Sequence, residues 1–146
     1  MNLKMLIAGM LGTLMLTAAA AAEECGTAAE TKQVVITLSS EAIQSAGFGL
    51  AVANAMQDAG VQSTVFVAAD AVPYVLKRGE QPEFGGTTPR NLIAGLLKKG
   101  GKVWLCGGFA KMKGIKTSDL IQGVGIAGPA DLAGALFGPG TQSMTF

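Results

Sequence analysis

Lys102-Val103-Trp104-Leu105-Cys106-Gly107-Gly108 is a short apolar run that closes on a cysteine and passes into a glycine turn, with Lys111, Lys113 and Lys116 just beyond it. Two runs of the same kind precede it. Gln33 to Leu38 has a continuous Val34-Val35-Ile36 core, and Ser63 to Ala68 carries Val65-Phe66-Val67. Continuous rather than alternating apolar residues are expected where helices cover both faces of a strand. Longer helix-compatible segments separate these runs, which is the pattern of a parallel α/β sheet.

Turn and cap signals fill in the order of elements. Ser39 and Ser40 are placed to cap a helix from about Glu41 to Asp58, with Leu50, Val52, Ala53 and Met56 facing the core and Gly60 ending it in a left-handed conformation. Asp70-Ala71-Val72-Pro73 breaks the chain after the second strand. From Lys77 to Thr88, the residues Gly79, Pro82, Gly85 and Gly86 prevent regular structure, and a loop of this length is a candidate lid. Thr88-Pro89 supplies an N-cap and a first-turn proline for a helix to about Lys99, with Leu92, Ile93, Leu96 and Leu97 toward the sheet and Lys98 and Lys99 suiting its C-terminal dipole.

After Cys106 the sequence predicts a short helix to Met112, a turn at Gly114, a cap at Thr117-Ser118-Asp119 and a strand Val124 to Ala127. A helix from Pro129 to about Phe137, a Gly138-Pro139-Gly140 break and a final strand Thr141 to Phe146 complete it. The expected fold is a single α/β domain over 33–146, with about five strands in a mostly parallel sheet flanked by helices.

The first 22 residues are read separately. Met1-Asn2-Leu3-Lys4 carries one positive charge, an apolar run from Met5 to Ala22 follows, and the run ends in small residues. This is the layout of a secretory signal peptide, with cleavage expected between Ala22 and Glu23. The competing reading is an uncleaved N-terminal anchor, but the alanine-rich end is weakly hydrophobic and lacks a flanking stop-transfer charge. Glu23 and Glu24 before Cys25 disfavour lipidation. Residues 23–32 read as a flexible lead-in. The expectation is an exported, periplasmic protein with no stable membrane anchor after cleavage.

Composition excludes several functions. Removing Lys4 with the leader brings the eleven basic residues level with the ten acidic ones. With one tryptophan, one tyrosine and Arg78 and Arg90 as its only arginines, the chain has no nucleic-acid footprint. It contains no histidine. Cys-His and Ser-His-Asp hydrolases, a histidine-ligated haem and a histidine zinc site are therefore excluded, and no metal or cofactor is expected. The spacing Gly123-Val124-Gly125-Ile126-Ala127-Gly128 matches a dinucleotide fingerprint, but Pro129 follows at once and no second strand with an acidic residue remains. Those glycines are expected to serve tight turns and close backbone packing.

What remains is Cys106. Ligands of open parallel sheets bind outside the carboxyl ends of the strands, which is where Cys106 falls. A thiolate is the nucleophile, and cations and helix N-terminal N–H groups favour the charged form. Gly107 and Gly108 open the following turn, and Lys111 and Lys113 supply charge; these four are the expected supporting residues. Two plainer readings compete: a cysteine buried as an inert small hydrophobe, and lysines 111, 113 and 116 as a solvated face.

The segment from Cys106 to Ile115, with Asp119-Leu120-Ile121-Gln122-Gly123-Val124 behind it, resembles the DsrE/DsrF-like family, in which a cysteine, basic residues and a Gly-Ile or Gly-Val pair occur in this order. The Val-Val-Ile strand, the alanine-rich helix ending in Asp58-Ala59-Gly60 and the Val65-Phe66-Val67 strand followed by Asp70-Ala71-Val72 extend the resemblance over most of residues 33–146. It implies Rossmann-like layering and a homo-oligomer. Members related to DsrE and TusD accept sulfane sulfur on this cysteine as a persulfide and pass it along a relay. Carried over, that role falls on Cys106, with sulfur-donor and sulfur-acceptor proteins, or small sulfane-sulfur species, as partners. Some relatives carry a second cysteine three positions on; here that residue is Phe109.

Cys25 is a candidate resolving thiol. It can pair with Cys106, pair with another subunit or stay free, and sequence alone does not choose among these. The function expected first is an exported sulfur carrier of sulfurtransferase type, since no acid–base partner accompanies the cysteine. The alternatives are a small-ligand-binding or oligomeric interaction module with an inert Cys106, and a dithiol redox protein using Cys25 and Cys106.

Overall fold

A computed structural model describes residues 31–146. The leader at 1–22, most of the lead-in at 23–32, and Cys25 lie outside the described residues. The elements run β1 (Gln33–Leu38), α1 (Ile43–Asp58), β2 (Gln62–Val67), a 3-10 helix (Ala69–Val75), α2 (Pro89–Lys98), β3 (Lys102–Cys106), α3 (Gly107–Met112), a 3-10 turn (Thr117–Asp119), β4 (Gly125–Ala127), α4 (Pro129–Leu136) and β5 (Thr141–Thr145). The five strands form one sheet in the order β4-β3-β2-β1-β5. Every pairing is parallel. The expected α/β architecture is therefore the observed one. Sheet hydrogen bonding begins within the stretch read as lead-in, since the Lys32 carbonyl accepts from the Gln62 N–H at 3.0 Å.

The chain steps from β1 to β4 in one direction and then returns to add β5 on the far side of β1. Side chains alternate across a strand, so the register sorts them into two faces. Val34, Ile36 and Leu38 of β1, Val65 and Val67 of β2, and Val103 and Leu105 of β3 join Leu50 and Ala53 of α1 and Ile93 and Leu96 of α2 in one core. Most of these are completely buried. The alternate residues Val35, Thr64, Phe66, Trp104, Cys106 and Ala127 occupy the other face. The helix joining the two edge strands is α4, and none of its residues is buried.

Helix ends follow their capping residues in most places. Gly60 has φ +82°; its N–H and that of Val61 reach back to the Gln57 and Met56 carbonyls, closing α1 with a left-handed cap. Thr88 caps α2, accepting from the Asn91 N–H at 3.3 Å, with Pro89 in the first turn. The N-terminus of α1 departs from expectation. The helix starts later, at Ile43, behind an N-cap Ala42 that makes no side-chain bond, while the Ser40 hydroxyl accepts from the Ala42 N–H in a local turn. Ser39 instead ties down the C-terminus, its N–H donating to the Phe146 carbonyl at 3.0 Å.

The segment from Lys77 to Thr88 is irregular, as its glycines require, but it is clamped. The Gln81 amide donates to the Tyr74 carbonyl and accepts from the Arg90 N–H, and the Arg90 guanidinium donates to the carbonyls of Leu76 and Gly79. Phe84 lies against α1 at Gly47, where an added Cβ would come within 2.4 Å of the ring. A loop held at three points does not have the geometry of a free lid, and it contributes nothing to the cavity beside Cys106.

Candidate functional site

Cys106 is the last residue of β3 and the residue before α3, at φ −57° and ψ 121°. It is half-buried and has no disulfide partner among the described residues, and its thiol makes no capping bond to the first turn of α3. The expected support from that helix terminus is thus not realised as a hydrogen bond. What the fold supplies instead is a cavity of about 550 Å³, lined by Phe66, Cys106, Gly107, Gly108, Lys111, Ala127, Gly128, Pro129 and Leu132.

The cavity arises from the topology. Phe66, Cys106 and Ala127 stand on neighbouring strands on the face away from α1 and α2. The chain leaves β3 and β4 at their carboxyl ends through α3 and α4, and the gap between those two helix starts is the opening. Gly107 makes the close approach there: a Cβ on it would lie 3.1 Å from the Ala127 carbonyl oxygen. The start of α4 is fixed by Asp131, whose carboxylate accepts from the Gly128 N–H at 2.8 Å, with Pro129 in the first turn.

Of the residues singled out in sequence, Cys106, Gly107, Gly108 and Lys111 come together around this cavity. Lys113 does not; it is exposed at the C-terminal end of α3 and lines no part of the cavity. Lys116 is likewise exposed, its N–H donating to the Asp119 carboxylate. The six-residue α3 turns only Lys111 back toward the strand ends. Sequence reasoning missed Phe66, Ala127, Gly128, Pro129 and Leu132. The period-2 register pairing Phe66 with Trp104 held a signal for the first, and Gly128-Pro129 after β4 held one for the others.

The glycines of the false dinucleotide motif have structural duties. Gly123 turns at φ +95°, and a Cβ on Gly125 would meet the Trp104 ring at 3.3 Å. Among the described residues no cluster of three or more Cys, Asp or Glu is arranged to hold a metal ion. None of the described helices is long and apolar enough to cross a membrane.

A wholly parallel five-stranded sheet with one cysteine at the carboxyl end of β3, facing a cavity under the next helix, defines a class of small α/β thiol proteins. A family model described as DsrE/DsrF-like matches residues 31–138. The chain belongs to the DsrE/DsrF-like family. Among solved structures it is similar to the YchN protein of E. coli, at 26% identity and a TM-score of 0.67 over 80% of this chain and 99% of that one. A protein of unknown function, MTH1491 from Methanobacterium thermoautotrophicum, shares the fold at 16% identity and a TM-score of 0.62 over 79% of this chain and 99% of that one. No curated protein sequence matches the chain.

Proposed function

We propose that the protein is an exported sulfur carrier that accepts sulfane sulfur as a persulfide on Cys106 and hands it to a partner, acting in the periplasm once residues 1–22 are removed. The observation that carries this reading is the position of Cys106: a half-buried thiol at the carboxyl end of a strand inside the sheet, beside an open cavity and Lys111, in a family linked to sulfur relay. A carrier needs a thiol that one partner can load and another can unload, without an acid or base for hydrolysis. The setting of Cys106 meets that need. Partial burial also shields a persulfide from further oxidation, while Lys111 offers a positive charge to the anion. Donor and acceptor are sulfur-handling proteins or small sulfane-sulfur species. Cys25 serves as a resolving thiol if it reaches Cys106.

Side chains exposed on the surface favour a homo-oligomer as the working form. Phe137 is 87% exposed, Met112 76% and Phe48 54%, and these are the apolar side chains that a second copy of the chain would cover. The same surface is what an interaction module with an inert Cys106 would use.

Intact mass after incubation with inorganic polysulfide tests the carrier reading. Wild type and Cys25→Ser are expected to gain about 32 Da per sulfur in a form removed by reductant, and Cys106→Ser to gain nothing. Absence of the gain in wild type, with Cys106 also unreactive toward iodoacetamide in the folded protein, would leave the interaction module as the function.

A further inference from the structure

The proposed carrier role leaves the chemical nature of the sulfur donor open, and the walls of the cavity bear on it. Phe66, Ala127, Pro129 and Leu132 provide apolar carbon on the sheet side and the α4 side. Phe66 and Ala127 are themselves buried, so those walls are fixed parts of the sheet. Glycines 107, 108 and 128 add no side chains. Among the lining residues the one charged side chain is Lys111, and no Ser, Thr, Asn, Gln, Asp or Glu takes part. A volume of about 550 Å³ is the size of a small-molecule site.

We propose, resting on the carrier reading, that Cys106 is loaded from a small organic persulfide, R–S–SH, whose R group is apolar and enters this cavity while its sulfur end meets Cys106 and Lys111. Two competing donors fit less well. A loop of a donor protein inserted here would bury backbone N–H and C=O groups without side-chain partners, at a cost that apolar walls do not return. An amino-acid or peptide persulfide would carry a carboxylate and an ammonium into the same surroundings. An apolar R group gains from the walls, and the single cation, Lys111, faces the negative charge that the sulfur atoms carry during the transfer.

The transfer balances without any other reactant. The Cys106 thiolate attacks the outer sulfur of R–S–SH, a Cys106 S–S bond forms and the R–S to sulfur bond breaks. The leaving thiolate RS⁻ takes the proton, giving Cys106–S–S⁻ and RSH. The sulfane sulfur passes across unchanged in oxidation state, and RSH is the product that must leave the cavity.

The test compares loading rates of Cys106, followed by intact mass on the full mature chain, from benzyl persulfide and 2-hydroxyethyl persulfide generated in situ, each normalised to its reaction with free cysteine, and from inorganic polysulfide. Benzyl persulfide is expected to load about tenfold faster than the hydroxyethyl compound, the scale of discrimination an apolar pocket gives for a few carbon atoms. Leu132→Ser, at a partly exposed position of a helix with no buried residue, is expected to bring that ratio toward one, its fold checked by urea unfolding. Equal or inverted rates in wild type, with polysulfide loading intact, would overturn the apolar donor and leave the carrier standing. Failure to load from all three donors would overturn the carrier itself, and this inference with it.

Discussion

The two faces of the sheet are built to different standards. Against α1 and α2, the strands present Val34, Ile36, Leu38, Val65, Val67, Val103 and Leu105, nearly all sealed from water. On the other face Val35, Thr64, Phe66 and Ala127 are buried as well, while Trp104 and Cys106 are half-buried; this face is crossed by α4, which buries no residue of its own and leaves a cavity at its start. Close packing on one side supplies stability, since apolar area removed from water is the dominant favourable term. The other side can then leave room around a thiol. Leu105 and Cys106 are adjacent in sequence and fall on opposite sides of this division, so substitutions at neighbouring positions separate stability from chemistry.

The largest effect is expected on the packed face. Leu105→Ala removes a completely buried side chain from the middle of the core and is expected to cost about 2–5 kcal/mol, read from the urea midpoint. A loss below about 1 kcal/mol would mean that the two faces are not distinguished by packing in the way their burial implies.

Gly107 sits on the boundary and is expected to come next. A Cβ there meets the Ala127 carbonyl at 3.1 Å and the Ile126 side chain at 3.6 Å, so β4 must give way. Overpacking of this kind costs about 1–3 kcal/mol, offset in part by the better helix propensity of alanine at the start of α3. The net expectation for Gly107→Ala is a loss of about 1 kcal/mol together with a changed rate of iodoacetamide reaction at Cys106. Unchanged stability and unchanged reactivity would show that the close approach of α3 to β4 does not shape the cavity.

The division between the faces also explains what sequence could convey. β1 and β3 were legible to the residue, because Val34-Val35-Ile36 and Val103-Trp104-Leu105 are short apolar runs with clear stops. Thr88-Pro89 announced α2 for the same local reason. The start of α1 was misread because Ser39 and Ser40 look like caps, while the C-terminal Phe146, distant in sequence, claims Ser39 instead. At the site, Cys106, Gly107, Gly108 and Lys111 were legible because they are contiguous with the strand end. The opposite wall was not: Pro129 and Leu132 reach Cys106 only because β4 pairs beside β3, a tertiary fact that no local pattern encodes. Lys113 was drawn in by charge alone, and the short α3 turns it away.

Tyr74, the single tyrosine of the chain, carries the comparison into the pH dependence. Its hydroxyl donates to the Glu41 carbonyl, tying the 3-10 helix after β2 to the approach to α1. Burial, and secondly the Glu41 carboxylate, hold its phenol above the ordinary tyrosine value. The folded state therefore favours the neutral form. That contribution is fully present below about pH 10, where the unfolded tyrosine begins to ionise, and is lost as pH rises through the folded value. Tyr74→Phe is expected to cost about 1 kcal/mol at neutral pH through the lost hydrogen bond, and to flatten the alkaline fall in stability. Tyrosinate absorbance of the folded protein appearing at or below the ordinary value would refute the assignment.

The smallest effect is expected on the open face, and it is the one that closes the comparison. Leu132 is the same residue type as Leu105, but it lies partly exposed on α4, against the cavity. Leu132→Ala removes little surface that is fully withdrawn from water and adds space to a cavity that already exists, so no new void is created. The expected loss is under about 1 kcal/mol by urea unfolding, several times smaller than for Leu105→Ala. Equal losses at the two positions would mean that α4 is as tightly integrated as α1 and α2. The space beside Cys106 would then be an accident of packing rather than the consequence of leaving one face of the sheet thinly covered.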